Sequence, residues 1–93
     1  MEIVGHEVEQ LHDPTGILQG ERYEFFLQFD VPEEDDLFSE HGLLLRVIFS
    51  VTESEKRILH YEIIEKSSNK VLDFALEPEE EELILSYCIE HYK

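Results

Sequence analysis

From Arg22 to Val31 apolar and polar residues alternate. Tyr23, Phe25, Leu27, Phe29 and Val31 share one parity, and Arg22, Glu24, Gln28 and Asp30 the other. A period of two marks a strand with one buried face, so this segment predicts the clearest strand in the chain. Phe26 falls on its polar side, and Pro32 ends it. Leu43 to Val51 repeats the pattern, with Leu43, Leu45, Val47, Phe49 and Val51 aligned against a mixed set of Leu44, Arg46, Ile48 and Ser50. Ile3 to Leu11 predicts a first strand, with Val4, His6 and Val8 facing one way and Glu7 and Glu9 the other. Arg57 to Lys66 groups Leu59, Tyr61 and Ile63 against Ile58, His60, Glu62 and Ile64, and Val71 to Leu76 predicts the last strand.

The connections are short. Asp13-Pro14-Thr15-Gly16 carries the residues of a type I turn, Ile17-Leu18 extend briefly, and Gly20 suits a bulge. Glu33 to Gly42 connects the second and third long strands, with one helical turn carrying Leu37 and Phe38. Ser67-Ser68-Asn69-Lys70 suits a hairpin. Short links favour an antiparallel meander over parallel crossovers.

The period changes after Glu77, predicting a helix over about 78–92. Pro78 suits the first turn, where its missing N–H is not needed, and Glu79 to Glu82 sit at the positive end of the helix dipole. Leu83, Tyr87, Ile84, Cys88, Tyr92, Leu85 and Ile89 sweep roughly 240° of the wheel, more than a helix lying on one sheet requires. Phe26, Leu44, Ile48, Ile58 and Ile64 make the outer sheet face apolar as well. Either the sheet curls around the helix, or two copies associate. The interaction surface this predicts comprises Leu85, Ile89, Tyr92, Phe26 and Ile48.

The fold class is therefore α+β: one domain over residues 1–93, with a mostly antiparallel sheet of about five strands within 2–76. The C-terminal helix packs across one face. The expected core is Tyr23, Phe25, Leu27, Phe29, Leu45, Val47, Phe49, Leu59, Tyr61, Leu72, Phe74, Leu83 and Tyr87.

Composition narrows the partners. Twenty-three acidic residues face seven basic ones, for a formal charge of −16. Such a chain repels nucleic-acid phosphate and anionic membrane, and suits a basic protein surface. No stretch reads as a signal peptide or a membrane span, and Cys88, the one cysteine, has no internal disulfide partner. These features predict a cytoplasmic protein.

Candidate chemistry is sparse. Cys88 and His91, three apart on the helix, are the candidate metal ligands, but two further ligands would be needed and no second metal-spaced pair occurs. His6 lies between Val4 and Val8, and His60 shares a face with Glu62, as a general base requires. His12 and His41 have no such context. Glu33-Glu34-Asp35-Asp36 lacks the glycine and terminal glutamate of an EF-hand loop. No phosphate-binding glycine loop, nucleophile elbow or dinucleotide fingerprint is present, so no catalytic residue and no cofactor is assigned.

Several stretches together carry a resemblance: Gly16-Ile17-Leu18 with Gly20-Glu21-Arg22-Tyr23-Glu24-Phe25-Phe26, Leu45-Arg46-Val47-Ile48-Phe49, and Leu72-Asp73-Phe74-Ala75-Leu76 before the glutamate run. With these the chain resembles a family of small acidic proteins of unknown function from spore-forming Gram-positive bacteria. The resemblance implies a bacterial cytoplasmic protein and no activity. The function expected is a non-enzymatic protein-interaction module, with a homodimer as one form of it. The alternatives are a small-ligand binder with an apolar cavity between sheet and helix, reached near His60 or Tyr61, and a metal protein or enzyme using the histidines.

Overall fold

The computed structural model describes residues 2–12, 20–34 and 42–92. Five strands run in chain order across one antiparallel sheet: β1 (Glu2–Leu11), β2 (Glu21–Asp30), β3 (Leu43–Val51), β4 (Lys56–Glu65) and β5 (Lys70–Leu72). One helix, α1 (Pro78–His91), covers one face. The fold is the expected α+β meander. The Asp13–Gly16 turn, the Ile17-Leu18 extension and the helical turn with Leu37 and Phe38 lie outside the described residues.

The alternation in β2 and β3 builds the core. Tyr23, Phe25, Leu27 and Phe29 lie opposite Phe49, Val47, Leu45 and Leu43, and all eight are buried. Phe25 and Phe49 meet edge to face, with ring centroids 6.1 Å apart. That geometry places the ring edge of one against the electron-rich face of the other. From the helix, Ile84 and Cys88 are fully buried on this layer, and Leu85, Tyr87 and Tyr92 are half-buried around them.

Two bulges shift the pattern. Between Ile3 and Gly5 the β1 register slips, so Ile3 lies opposite Phe29 and packs on the core, and Val4 is left 54% exposed. In β4, Ile58 pairs with Phe49 and His60 with Ile48, leaving Leu59 between them without a partner. Ile58 therefore packs on the core, and Leu59, expected there, is exposed. One inserted residue exchanges the faces on either side of it.

The last strand is shorter than Val71 to Leu76. It ends at Leu72, where the Phe74 N–H turns back to the Leu72 carbonyl at 3.0 Å and lifts the chain off the sheet. Phe74, expected in the core, is 45% exposed as a result, and Leu76 is buried in its place. Leu83 is 44% exposed. At about 100° per residue the helix stripe from Tyr87 through Ile84 and Cys88 to Leu85 spans about 160°, and Leu83 and Ile89 fall on either side of it. The buried arc is thus narrower than the apolar arc.

Gly20 sits just ahead of β2, where the sequence put it, at φ +75°, a conformation that favours glycine. A Cβ there would lie 2.3 Å from the Val51 carbonyl oxygen, so the backbone approach also demands glycine.

Candidate functional site

β5 pairs only with Ile63, Ile64 and Glu65, so among the described residues the outer edge of β4 from Lys56 to Glu62 has no strand beside it. The chain passes instead over Tyr61, whose hydroxyl accepts the Leu76 N–H at 2.9 Å, and then starts α1. At that start the Glu77 N–H donates to Glu80 Oε1 at 3.0 Å, and the Glu80 and Glu81 N–H groups donate to the Glu77 carbonyl at 3.0 Å. The Glu77 and Glu80 bonds satisfy donors that a helix N-terminus leaves open, and the Glu81 bond is the first regular turn of the helix.

With Glu80 drawn into the cap, Glu81 and Glu82 line a groove between α1 and β4. It has a volume of about 500 Å³, with Ile58, Leu59, His60 and Tyr61 along the strand and Pro78 and Leu85 along the helix. The lining is mainly apolar and the charged groups on it are carboxylates. His60 stands at its border, with Nε2 3.2 Å from Glu62 Oε1. Such a groove can hold an apolar side chain and place a positive charge beside Glu81 and Glu82.

Cys88 is fully buried in the helix–sheet interface, and burial pushes its thiol up to about 12. A thiol so held stays protonated at neutral pH, whereas metal binding requires the thiolate. His91 lies against Tyr87, ring centroids 4.2 Å apart, and against His6 at 4.9 Å. His6 Nδ1 is 2.7 Å from the Tyr87 hydroxyl, so this trio ties β1 to the C-terminal half of α1. Among the described residues no three His, Cys, Asp or Glu side chains gather as metal ligands would. His12 is exposed beyond β1, His41 lies outside the described residues, and Glu33 and Glu34 are exposed. Tyr23 donates its hydroxyl to Glu21 Oε2 at 2.6 Å; that bond, with burial and the Glu21 charge, raises the phenol to about 12.

The five residues of the expected interaction surface occupy three places. Leu85 lines the groove, and Ile89, 39% exposed, follows it one turn on along the helix. Tyr92 packs on Tyr23 and Phe49, with the Lys56 ammonium 5.8 Å above its ring. Phe26 and Ile48 are half-buried on the outer sheet face, away from the helix. The Glu79–Glu82 run and the region of His60 and Tyr61 stand out in the sequence as able to take a basic peptide or a ligand, whereas Pro78 does not, and the uninterrupted alternation assigns Ile58 and Leu59 to the wrong faces. Only the adjacent apolar pair Ile58-Leu59 hinted at the bulge that exchanges them.

No helix among the described residues is long and apolar enough to cross a membrane. No curated protein and no solved structure matches the chain. A family model matches residues 1–93 throughout, and the chain belongs to that family, a family of unknown function designated DUF6509.

Proposed function

We propose that this chain is a non-enzymatic protein-interaction module and that its docking site is the groove between β4 and α1. The observation that carries the reading is the bare edge of β4 beside an apolar groove rimmed by carboxylates. The occupant is a partner segment with an apolar anchor and a lysine or arginine next to it. The anchor covers Leu59 and Leu85, and the cation sits at Glu81 and Glu82. A second copy of the chain suits the groove less well than a basic partner, because it brings a further −16 of charge. The lone buried Cys88 and the resemblance described above support a reducing, bacterial cytoplasmic setting.

Selection of a random peptide library on the full chain tests this. Enriched peptides should combine an aliphatic or aromatic residue with Lys or Arg, and should lose binding to Leu59→Glu, whose side chain is already exposed and whose fold circular dichroism can verify. No enrichment, or binding indifferent to Leu59→Glu, would overturn the reading. The volume, within the ~300–1,000 Å³ typical of small-molecule sites, also favours a second reading, an apolar ligand. Retention of a small molecule in native mass spectrometry, released by Leu59→Glu, would select it.

A further inference from the structure

A second recess opens at the other side of the β3–β4 turn, and its lining has the opposite charge character. It has a volume of about 320 Å³ and is lined by Arg22, Ser50, Thr52, Ser54, Glu55 and Arg57, with Leu59, which also lines the groove, at its wall. Arg22, Ser50 and Arg57 form one lateral row across β2, β3 and β4, each directly opposite the next. Successive strands lie about 4.8 Å apart, so two guanidinium-bearing residues flank the buried Ser50 at about 10 Å from one another.

The contrast with Arg46 on the same face is informative. Arg46 lies opposite Glu62 and is held by Glu24 at 2.7 Å and Glu62 at 3.9 Å. Arg22 lies opposite Leu11 and Ser50, with no carboxylate across either strand. Its Nε is buried without a hydrogen-bond partner among the described residues. A buried donor on a charged group is expensive to leave unpaired, and with 23 acidic residues in the chain a carboxylate was not scarce. Arg57 pairs with Glu55 at 3.3 Å, and both side chains are largely exposed. The Thr52 hydroxyl is engaged with the Glu55 backbone at 3.1 Å, which holds the turn in shape beside the two arginines.

We infer that the row Arg22–Ser50–Arg57 is a phosphate-binding site, taking a phosphate group between the two guanidinium groups with the serine hydroxyls at its base. A phosphate offers acceptor oxygens on opposite sides at once, which two arginines across a strand can each grip through two N–H groups. A carboxylate presents its two oxygens in one direction and engages one arginine well. The recess is roomier than a bare ion requires, so a phosphate monoester fits as well as the free ion. Glu55 competes for Arg57 and turns outward on binding. The site shares Leu59 with the groove between β4 and α1 but none of the groove's charged groups, and because its own test leaves Leu59 unchanged it holds or fails independently of that reading.

Amide and arginine Nε–H NMR titrations of the full chain test it, at fixed pH and with ionic strength held by sodium chloride. Inorganic phosphate, O-phosphoserine and acetate are the three probes. Phosphate should give saturable shifts confined to Ser50–Arg57 and Arg22. Arg57→Gln should weaken binding about tenfold, the loss of one charge-assisted pair, and Glu55→Gln should tighten it. Arg22→Gln should abolish it; the exposed Arg57 keeps the test decisive if the Arg22 variant is misfolded. O-phosphoserine binding more tightly than phosphate identifies a monoester, and equal binding identifies the free ion. Shifts that never saturate, that ignore Arg57→Gln, or that acetate reproduces at the same concentration would overturn the assignment.

Discussion

The face of the sheet beneath α1 and the face turned away from it use the same strands, residue by residue in alternation. Beneath the helix, Phe25, Leu27, Leu45, Val47, Phe49 and Ile63 are all buried, and no charged group interrupts them. On the other face Phe26, Leu44, Ile48 and Ile64 are half-buried, with Glu24, Arg46 and Glu62 in a paired row between them. Apolar content alone does not separate the two. What separates them is that one layer has a helix over it and the other carries charges, of which Glu24, Arg46 and Glu62 are paired across strands. The covered face sets the fold, and the bare face and the sheet edge are left open to solvent.

The sharpest test of that difference uses neighbours in sequence. Phe25→Ala removes a fully buried ring and should cost about 3–5 kcal/mol of unfolding free energy. Phe26→Ala, one residue on and on the other face, should cost clearly less, about 1–2 kcal/mol, since its ring is only half-buried and leaves no enclosed cavity. Urea denaturation of both variants measures the gap. Equal losses would mean that the outer face is covered in solution and would point to self-association through Phe26 and Ile48.

Alkali probes the covered face from the helix side. The Cys88 thiol, about 9 when free, is pushed up to about 12 by burial, so the folded chain keeps a proton that the unfolded chain releases. Below the unfolded value both states hold the proton and pH has no leverage. Above it, stability falls by about 1.4 kcal/mol per pH unit until the folded value is reached. Tyr23, raised from 10 to about 12 by Glu21 and by burial, adds a loss of the same sign from about pH 10. Between pH 9 and 10 the loss should therefore be clearly shallower in Cys88→Ala than in the parent. Identical slopes would place the thiol in contact with water.

A smaller effect checks the bulge in β4. Ile58→Ala should cost about 1–2 kcal/mol and Leu59→Ala under about 1 kcal/mol, because the register puts Ile58 on the core and Leu59 in the groove. The reverse order would mean uninterrupted alternation through β4.

That pair also shows how far the sequence could be read. In β2 and β3 the register keeps a period of two despite Phe26, Leu44 and Ile48 on the polar parity, and the core face follows it from Tyr23 to Phe29 and from Leu43 to Phe49. In β1 and β4 the face changes at Ile3-Val4 and Ile58-Leu59. Adjacent apolar residues also occur at Phe25-Phe26 and Ile63-Ile64, where the register is regular. An apolar doublet thus permits a bulge without requiring one, and the partner strand decides. The helix was legible from Pro78 onward, but its buried width was not, since Leu83 and Ile89 are as apolar as Ile84. The groove between β4 and α1 depends on where β5 stops, and Val71 to Leu76 looks like a continuous strand. Arg22 and Arg57 are 35 positions apart, and only the meander register brings them to one row.

The smallest expected effect belongs to the bare face itself. Arg46 stands between Glu24 and Glu62, the three side chains roughly a fifth to a third exposed. Arg46→Met keeps much of the stem's contact with Phe26, which lies directly opposite, and removes the charge. Two carboxylates, on β2 and β4 either side of β3, are then left with an apolar side chain between them. Partial exposure screens them, so the loss should be about 1 kcal/mol at low salt. Because it is mostly like-charge repulsion, it should shrink as ionic strength rises from 20 to 500 mM, a range over which the screening length falls well below the distance between the carboxylates' strands. The parent chain, at −16, should itself gain stability over the same range, so the informative quantity is the gap between the two melting curves. A gap that closes with salt assigns the bare face's cohesion to its charges. A gap that stays constant assigns it to the packing of the Arg46 stem on Phe26, and the two faces would then differ in degree of burial alone.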